Sequence, residues 1–213
     1  MARDVLAEAE AAALLRCQEV LQAEAVGVLR DLHLPALLRP AGQPIQVGSS
    51  VLGLMVWPDL DFTVLCPQLQ ADQVFETMRP LASHPRVRKL RYANETAAFN
   101  RTGHPHDEGY YWGVRYLTPL GVEWKLDVWF LPAEVPRPEM TLLQTLPPQL
   151  TPEMRLSILW IKDVWHRLRA YRDQVLSVDI YDAVLAHGVR TPDAFDAYLQ
   201  HRSKPTRRET TAR

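Results

Sequence analysis

Gly48-Ser49, a spacer of nine residues and then Asp59-Leu60-Asp61-Phe62 make up the segment of this chain with the most chemistry in it. In an extended strand alternate side chains share a face, so Asp59 and Asp61 stand on one side, ~7 Å apart along the chain. Leu60, Phe62 and Val64 then point the other way, into a core. Two carboxylates side by side on an otherwise apolar strand repel each other and lose hydration unless a cation neutralises them. Hard oxygen ligands of this kind suit Mg²⁺, which takes one or two protein carboxylates and fills its shell with water and phosphate. A third carboxylate lies in Val122–Phe130, where Trp124, Leu126, Val128 and Phe130 alternate with Glu123, Lys125, Asp127 and Trp129. If that strand neighbours the first, Asp127 completes a three-carboxylate, two-metal site for in-line phosphoryl transfer. Gly48 allows a tight turn and close approach to a ligand. Ser49, Ser50 and the N–H groups that follow offer donors to a phosphate. The plain alternative is that Asp59 and Asp61 open a strand at the surface and that Asp127 pairs with Lys125 or an arginine.

Further candidates carry weaker signals. Lys125 shares a face with Asp127 and either neutralises a phosphate or forms a salt bridge to Glu123 or Asp127. Lys162 lies off the apolar stripe of a helix, where it either reaches a triphosphate or sits on a solvated face. Arg101, His104, His106 and Asp107 occupy a polar loop, a common place for binding residues. Tyr110, Tyr111, Trp112 and Tyr116 offer ring surface for a base, and core packing is their commoner fate. Cys17 and Cys66 are too few for a disulfide framework and lack metal-ligand spacing, which predicts two reduced thiols.

The elements that must position these groups follow from periodicity. Residues 3–32 read as one helix, broken by the prolines and glycine of Leu34–Gln43. Ile45–Val47 reads as a short strand, residues 50–56 as a short helix, Asp59–Cys66 as a strand, and Ala71–Ser83 as a helix. Arg86–Phe99 reads as extended with a poor period. Tyr110–Leu117 and Val122–Phe130 read as strands joined by a turn at Thr118-Pro119-Leu120-Gly121. The prolines of Pro132–Pro148 mark a boundary. Thr151-Pro152-Glu153 then starts a helix with Met154, Ile158, Ile161, Trp165 and Leu168 on one stripe. Helices over Gln174–Ala186 and from Thr191 to His201 follow, and the tail, with Lys204, Arg207, Arg208 and Arg213, reads as basic and frayed. The fold class expected is α+β: a mixed, mostly antiparallel sheet with flanking helices over residues 1–135, a helical bundle over 150–202, and a disordered tail over 203–213.

Composition narrows the functions. A hydrophobic fraction of 47% and a charged fraction of 23% describe a folded chain. Lys and Arg total 24 against 25 Asp and Glu, a net charge of −1, which argues against a surface built to coat nucleic acid or an anionic membrane. No apolar run approaches the ~20 residues of a membrane span, and the start lacks a signal-peptide core, so a cytoplasmic protein is expected.

Val47-Gly48-Ser49, Asp59-Leu60-Asp61 and Leu126-Asp127-Val128 together resemble the nucleotidyltransferase superfamily of DNA polymerase β, especially its small bacterial members. The resemblance covers residues 44–131, and Gly53 sits where small members often keep a second glycine. The resemblance implies that Asp59 and Asp61 hold two Mg²⁺ ions, that Asp127 holds one of them, and that Ser49 contacts the nucleotide phosphates. It implies transfer of a nucleoside monophosphate from an NTP, with ATP expected, to a hydroxyl. Where small members often carry an arginine beside the second glycine, this chain has Val51 and Leu52, so Gly48, Ser49, Ser50, Lys125 and Lys162 are the candidates to bind the nucleotide. A small-molecule hydroxyl is the first expectation for the acceptor. A protein side chain comes next and an RNA 3′ end last, because only the tail reads as clearly basic. A homodimer is left open, and a non-catalytic nucleotide-binding or regulatory protein on the same fold is the rival from another class.

Overall fold

Ala, Leu and Glu dominate the first helix, α1 (Glu8–Asp31), whose acids Glu8 and Glu10 at the start and Arg30 at the end complement the helix dipole. The computed structural model describes residues 6–100, 108–135 and 137–212. They form two units: Gln22–Gly53 with Pro58–Thr145, and residues 6–21 with Leu54–Trp57 and 146–212. This division differs from a cut between residues 135 and 150, because the start of α1 and the Leu54–Trp57 segment belong with the helical unit.

The first unit is built on five strands: β1 (Gln43–Val47), β2 (Asp59–Cys66), β3 (Val87–Asn94), β4 (Tyr110–Leu117) and β5 (Glu123–Pro132). Their order is β1-β2-β5-β4-β3, so β5 lies between two strands made before it. Only β2 and β5 run parallel; the other neighbours are antiparallel. The fold is α+β with a mixed, mostly antiparallel sheet, as the alternation predicts. Leu60, Phe62 and Val64 of β2, Trp112, Val114 and Tyr116 of β4, and Trp124, Leu126, Val128 and Phe130 of β5 are buried along one face. Helix contacts cover that face: the Tyr116 hydroxyl donates to Asp31 of α1 at 2.7 Å, and Phe75 of α4 (Ala71–Ala82) meets the Trp112 ring at 5.1 Å.

Three expectations about this unit are corrected. The Leu34–Gln43 segment ends α1 but also forms a helix of its own, α2 (Leu34–Leu38), with Pro35 in its first turn, where a missing N–H costs nothing. Between β1 and β2 the short helix is α3 (Ser49–Leu52), stopped by Gly53 at φ 65°, so it starts and ends earlier than residues 50–56. The proline-rich Pro132–Pro148 segment is not only a boundary: β5 runs to Pro132, and α5 (Pro138–Thr145) starts on a proline. The poor period of Arg86–Phe99 has a cause, since β3 is an edge strand whose register slips between Val87 and Lys89.

The helical unit holds α6 (Pro152–Trp165), α7 (Ser177–Ala186) and α8 (Pro192–His201). Thr151 and Thr191 accept backbone N–H bonds from Met154 and Ala194, as their cap positions predict. Ile158, Ile161 and Trp165 are buried with Ile180, Val184, Phe195 and Leu199. Helix α7 starts at Ser177 rather than Gln174, because Leu168–Val175 forms turns that pair Tyr171 with Val175. The tail is not frayed in its described part. Lys204 pairs with Asp179 at 2.7 Å, Arg207 binds Asp193 and Asp196, and Arg169 N–H donates to the Thr211 carbonyl at 2.9 Å. Lys204 and Arg207 meet acids on α7 and α8, which composition alone does not reveal. Among the described residues, no helix is long and apolar enough to cross a membrane.

Candidate active site

The parallel register of β2 and β5 sets Asp61 opposite Asp127 and Asp59 opposite Lys125. One carboxylate oxygen from each of Asp59, Asp61 and Asp127 lies within 4.8 Å of the others, with Asp59 buried and the other two half-buried. Val47 at the end of β1 faces Asp61, and the next residue, Gly48, turns the chain at φ 76°. A Cβ at Gly48 would stand 2.4 Å from Asp61 Oδ2, so both the backbone conformation and the close approach require glycine there. Ser49 follows directly, buried, its hydroxyl without a hydrogen bond among the described residues. Ser50 is different: its hydroxyl accepts from Gln46 Nε2 at 2.9 Å and donates to the Val47 carbonyl at 3.3 Å, and Gln22 Nε2 donates to its own carbonyl. The Ser50 side chain is committed to holding the turn.

Lys125 lies among the carboxylates. Its ammonium donates to Asp127 Oδ2 and stands 3.7 Å from Asp59 Oδ1. The pairing named as the plain alternative therefore exists, and it coexists with the convergence of all three acids. Asp127 Oδ1 accepts from the Tyr111 hydroxyl at 2.7 Å. Burial first, and the Asp127 charge second, push the Tyr111 phenol well above its ordinary range, which keeps it a donor. The residue of β4 opposite Asp127 is Gly113, where a Cβ would come 2.7 Å from the Tyr111 hydroxyl. That glycine opens the path by which the phenol reaches Asp127, and the Tyr111 ring rests on Trp129 at 5.1 Å. From the sequence, Tyr111 stands out only for its ring surface, and Gly113 not at all. The available signal was a glycine in the middle of an aromatic strand, which marks a close approach.

The acids fit a divalent cation on chemical grounds. They are hard oxygen donors at short mutual distance, and Asp59 Oδ1 is buried with no hydrogen bond, its nearest cation being Lys125 at 3.7 Å. Lys162 does not share this unit. It is only 1% exposed in α6, its ammonium donates to the Leu54 carbonyl at 2.7 Å, and it stands over the Trp57 ring at 5.3 Å and the Tyr181 ring at 5.9 Å. The solvated-face alternative for Lys162 is thereby corrected: carbonyl and ring electrons solvate the ammonium in place of water. Trp112 and Tyr116 belong to the core, while Tyr110 is half-buried. Arg101, His104, His106 and Asp107 lie outside the described residues.

No family model and no curated protein matches this sequence. Solved structures do. A cytoplasmic RNA terminal U-transferase aligns with 82% of this chain and 51% of its own at 15% identity and a TM-score of 0.54. The Cid1 poly(U) polymerase with MgATP bound aligns with 79% of this chain and 50% of its own at 16% identity and a TM-score of 0.56. A further Cid1 poly(U) polymerase structure aligns with 83% of this chain at 18% identity, 54% of its own length and a TM-score of 0.52. The chain spans about half the length of the solved structures it matches. At these identities the likeness is one of fold.

Proposed function

On the nucleotidyltransferase fold that it shares with these enzymes, we propose that this chain transfers a nucleoside monophosphate from an NTP, ATP being the expected one, to a hydroxyl. The observation that carries the reading is the convergence of Asp59, Asp61 and Asp127 within 4.8 Å, with Gly48 pressed against Asp61. Asp59, Asp61 and Asp127 would hold two Mg²⁺ ions, which would supply a lowered pKa for the acceptor hydroxyl and an offset to the charge on the leaving pyrophosphate. Gly48 lets the backbone approach the phosphates, and the Ser49 hydroxyl donates to them. The acceptor oxygen bonds to the α-phosphorus as the bond to the bridging oxygen breaks. The acceptor proton passes to an aspartate, and pyrophosphate leaves with the electron pair. Tyr111 holds Asp127 in orientation through the reaction. We assign the phosphate cation to Lys125 rather than Lys162, because Lys125 already stands among the carboxylates. Nothing in the comparisons supports the small-molecule acceptor or the dimer.

The test is incubation of the protein with labelled NTP, Mg²⁺ or Mn²⁺ and a panel of acceptors, beside Asp61→Asn and Asp127→Asn. Metal-dependent NTP binding and labelled product with wild type only are expected. Equal labelling by the variants, or no metal-dependent NTP binding by wild type, overturns the assignment. Binding without pyrophosphate release identifies a non-catalytic nucleotide-binding protein.

A further inference from the structure

The sheet face that carries the acids does not end at β5. Paired residues of neighbouring strands point to the same side, so the row through Asp61 and Asp127 continues across Gly113 of β4 to Arg91 of β3. The row through Asp59 and Lys125 continues across Arg115 to Lys89. In the next row of this face lie the half-buried rings of Trp129, on β5 with Asp127, and of Tyr111 on β4. Arg86–Arg91 holds four basic residues and no acid. Two of the four are used within the fold, Arg86 by Asp31 at 2.8 Å and Arg88 by Glu123. Lys89 and Arg91 are exposed and make no ion pair among the described residues, and Arg115 is 3.7 Å from Glu123. The tail, by contrast, has its Lys204 and Arg207 neutralised by α7 and α8. Net charge hides this arrangement: two exposed cations with no ion pair among the described residues sit on the site's own sheet face.

We propose that the acceptor is a single-stranded polynucleotide whose backbone crosses β4 and β3, with phosphates at Arg115, Arg91 and Lys89 and a base against Tyr111 or Trp129. The word acceptor rests on the nucleotidyl transfer proposed above; the binding surface does not. Two strand spacings separate β5 from β3, about 10 Å, so the strip lies within reach of a chain whose terminal hydroxyl is at the carboxylates. A positive track beside aromatic faces is the way single strands are held without sequence readout. An acidic peptide would use the charges and leave the rings idle. A small acceptor would need neither.

The experiment is fluorescence anisotropy of ~12-nucleotide end-labelled RNA and DNA single strands, with the full chain in EDTA so that metal occupancy plays no part. Lys89→Gln/Arg91→Gln is compared with wild type, with Arg208→Gln as a basic residue elsewhere. Salt-dependent binding by wild type is expected. The double variant should bind tenfold weaker or worse, and its slope of log K against log salt should be lower by about 1.4, two phosphates at ~0.7 each. Arg208→Gln should bind as wild type does. Circular dichroism confirms that the double variant is folded, and Lys89→Arg/Arg91→Lys, which keeps the charge, should retain the wild-type slope. No binding by wild type, an unchanged slope in the double variant, or equal competition by an acidic peptide of the same charge overturns the proposal. Asp61→Asn should bind the oligonucleotide as wild type does. Loss of transfer with binding intact therefore speaks only to the catalytic reading, and transfer to small acceptors without oligonucleotide binding speaks only against this one.

Discussion

Replacing Lys125 by Met keeps most of the side-chain stem and deletes a cation that stands among Asp59, Asp61 and Asp127. At 3.7 Å from Asp59 Oδ1, the ammonium's attraction for that carboxylate is about 4.5 kcal/mol at an effective dielectric constant of about 20. Its bond to Asp127 is at least as strong, and the side chains of all three partners are mostly buried. Desolvation of the ammonium offsets part of this, and removing one partner from a buried pair costs about 3–5 kcal/mol in practice. That is a large share of the 5–15 kcal/mol of a typical domain, so the variant should fold with a much lower urea midpoint in EDTA. A divalent cation can then do what Lys125 did. At ten times its dissociation constant Mn²⁺ returns about 1.4 kcal/mol, and each further tenfold returns about as much again. Wild type, which must give up its internal ion pair to bind the metal, should be stabilised less at the same Mn²⁺ concentration. The assay is urea unfolding followed by tryptophan fluorescence, with EDTA and across a Mn²⁺ series. Equal midpoints for the two proteins in EDTA, or a metal effect no larger in Lys125→Met than in wild type, refute the reasoning.

Three other outcomes are expected. Tyr111→Phe removes the donor to Asp127 Oδ1 while sparing the ring's contact with Trp129; isothermal titration should show Mn²⁺ binding 10–100-fold weaker, as when an orienting partner of a metal ligand is lost. Gly48→Ala places a methyl group 2.4 Å from Asp61 Oδ2 at a positive φ; thermal melts should show a loss of more than ~1 kcal/mol, and metal titration a displaced or lost site. Asp31 is held below the ordinary carboxylate range, first by the Tyr116 hydroxyl, with Arg86 and His84 adding to it against the effect of burial. A lowered folded pKa means that its contribution is complete above its unfolded value and is lost as pH falls through the folded one. The stability gap between wild type and Asp31→Asn should therefore persist down to about pH 5 and close below about pH 4, checked by urea midpoints.

Much of the site was legible because strand alternation is a strict rule. Asp59 and Asp61 had to share a face once Leu60, Phe62 and Val64 were buried, and Asp127 had to oppose Leu126 and Val128. Parallel pairing of β2 with β5 was not legible, since it depends on β5 entering between strands far from it in sequence. The Tyr111 bond to Asp127 was hidden for the same reason, for it needs the cross-strand neighbour Gly113. Ser49 and Ser50 look alike as letters, and only the Gln46 and Gln22 side chains show that Ser50 serves the turn. Lys162 was read from its position off the apolar stripe, but helical phase says nothing of a carbonyl such as Leu54's waiting to receive an ammonium. The tail misled because charge was counted along the chain, while its partners lie on other helices.

The position of β5 has a consequence for how the molecule comes into being. Strands β1 and β2 pair with each other, as do β3 and β4, through connections that close before Glu123 has been made. Each pair then has, besides the edge it keeps in the finished sheet, a second open edge, at β2 and at β4, and such edges invite pairing with other chains. The last strand synthesised fills the gap between them, and a long-range parallel pairing of this kind is slow to form. Asp127 arrives on that strand. Closing the sheet and completing the carboxylate cluster are thus one event, and a chain stopped short of β5 is two sticky ribbons with two of the three acids.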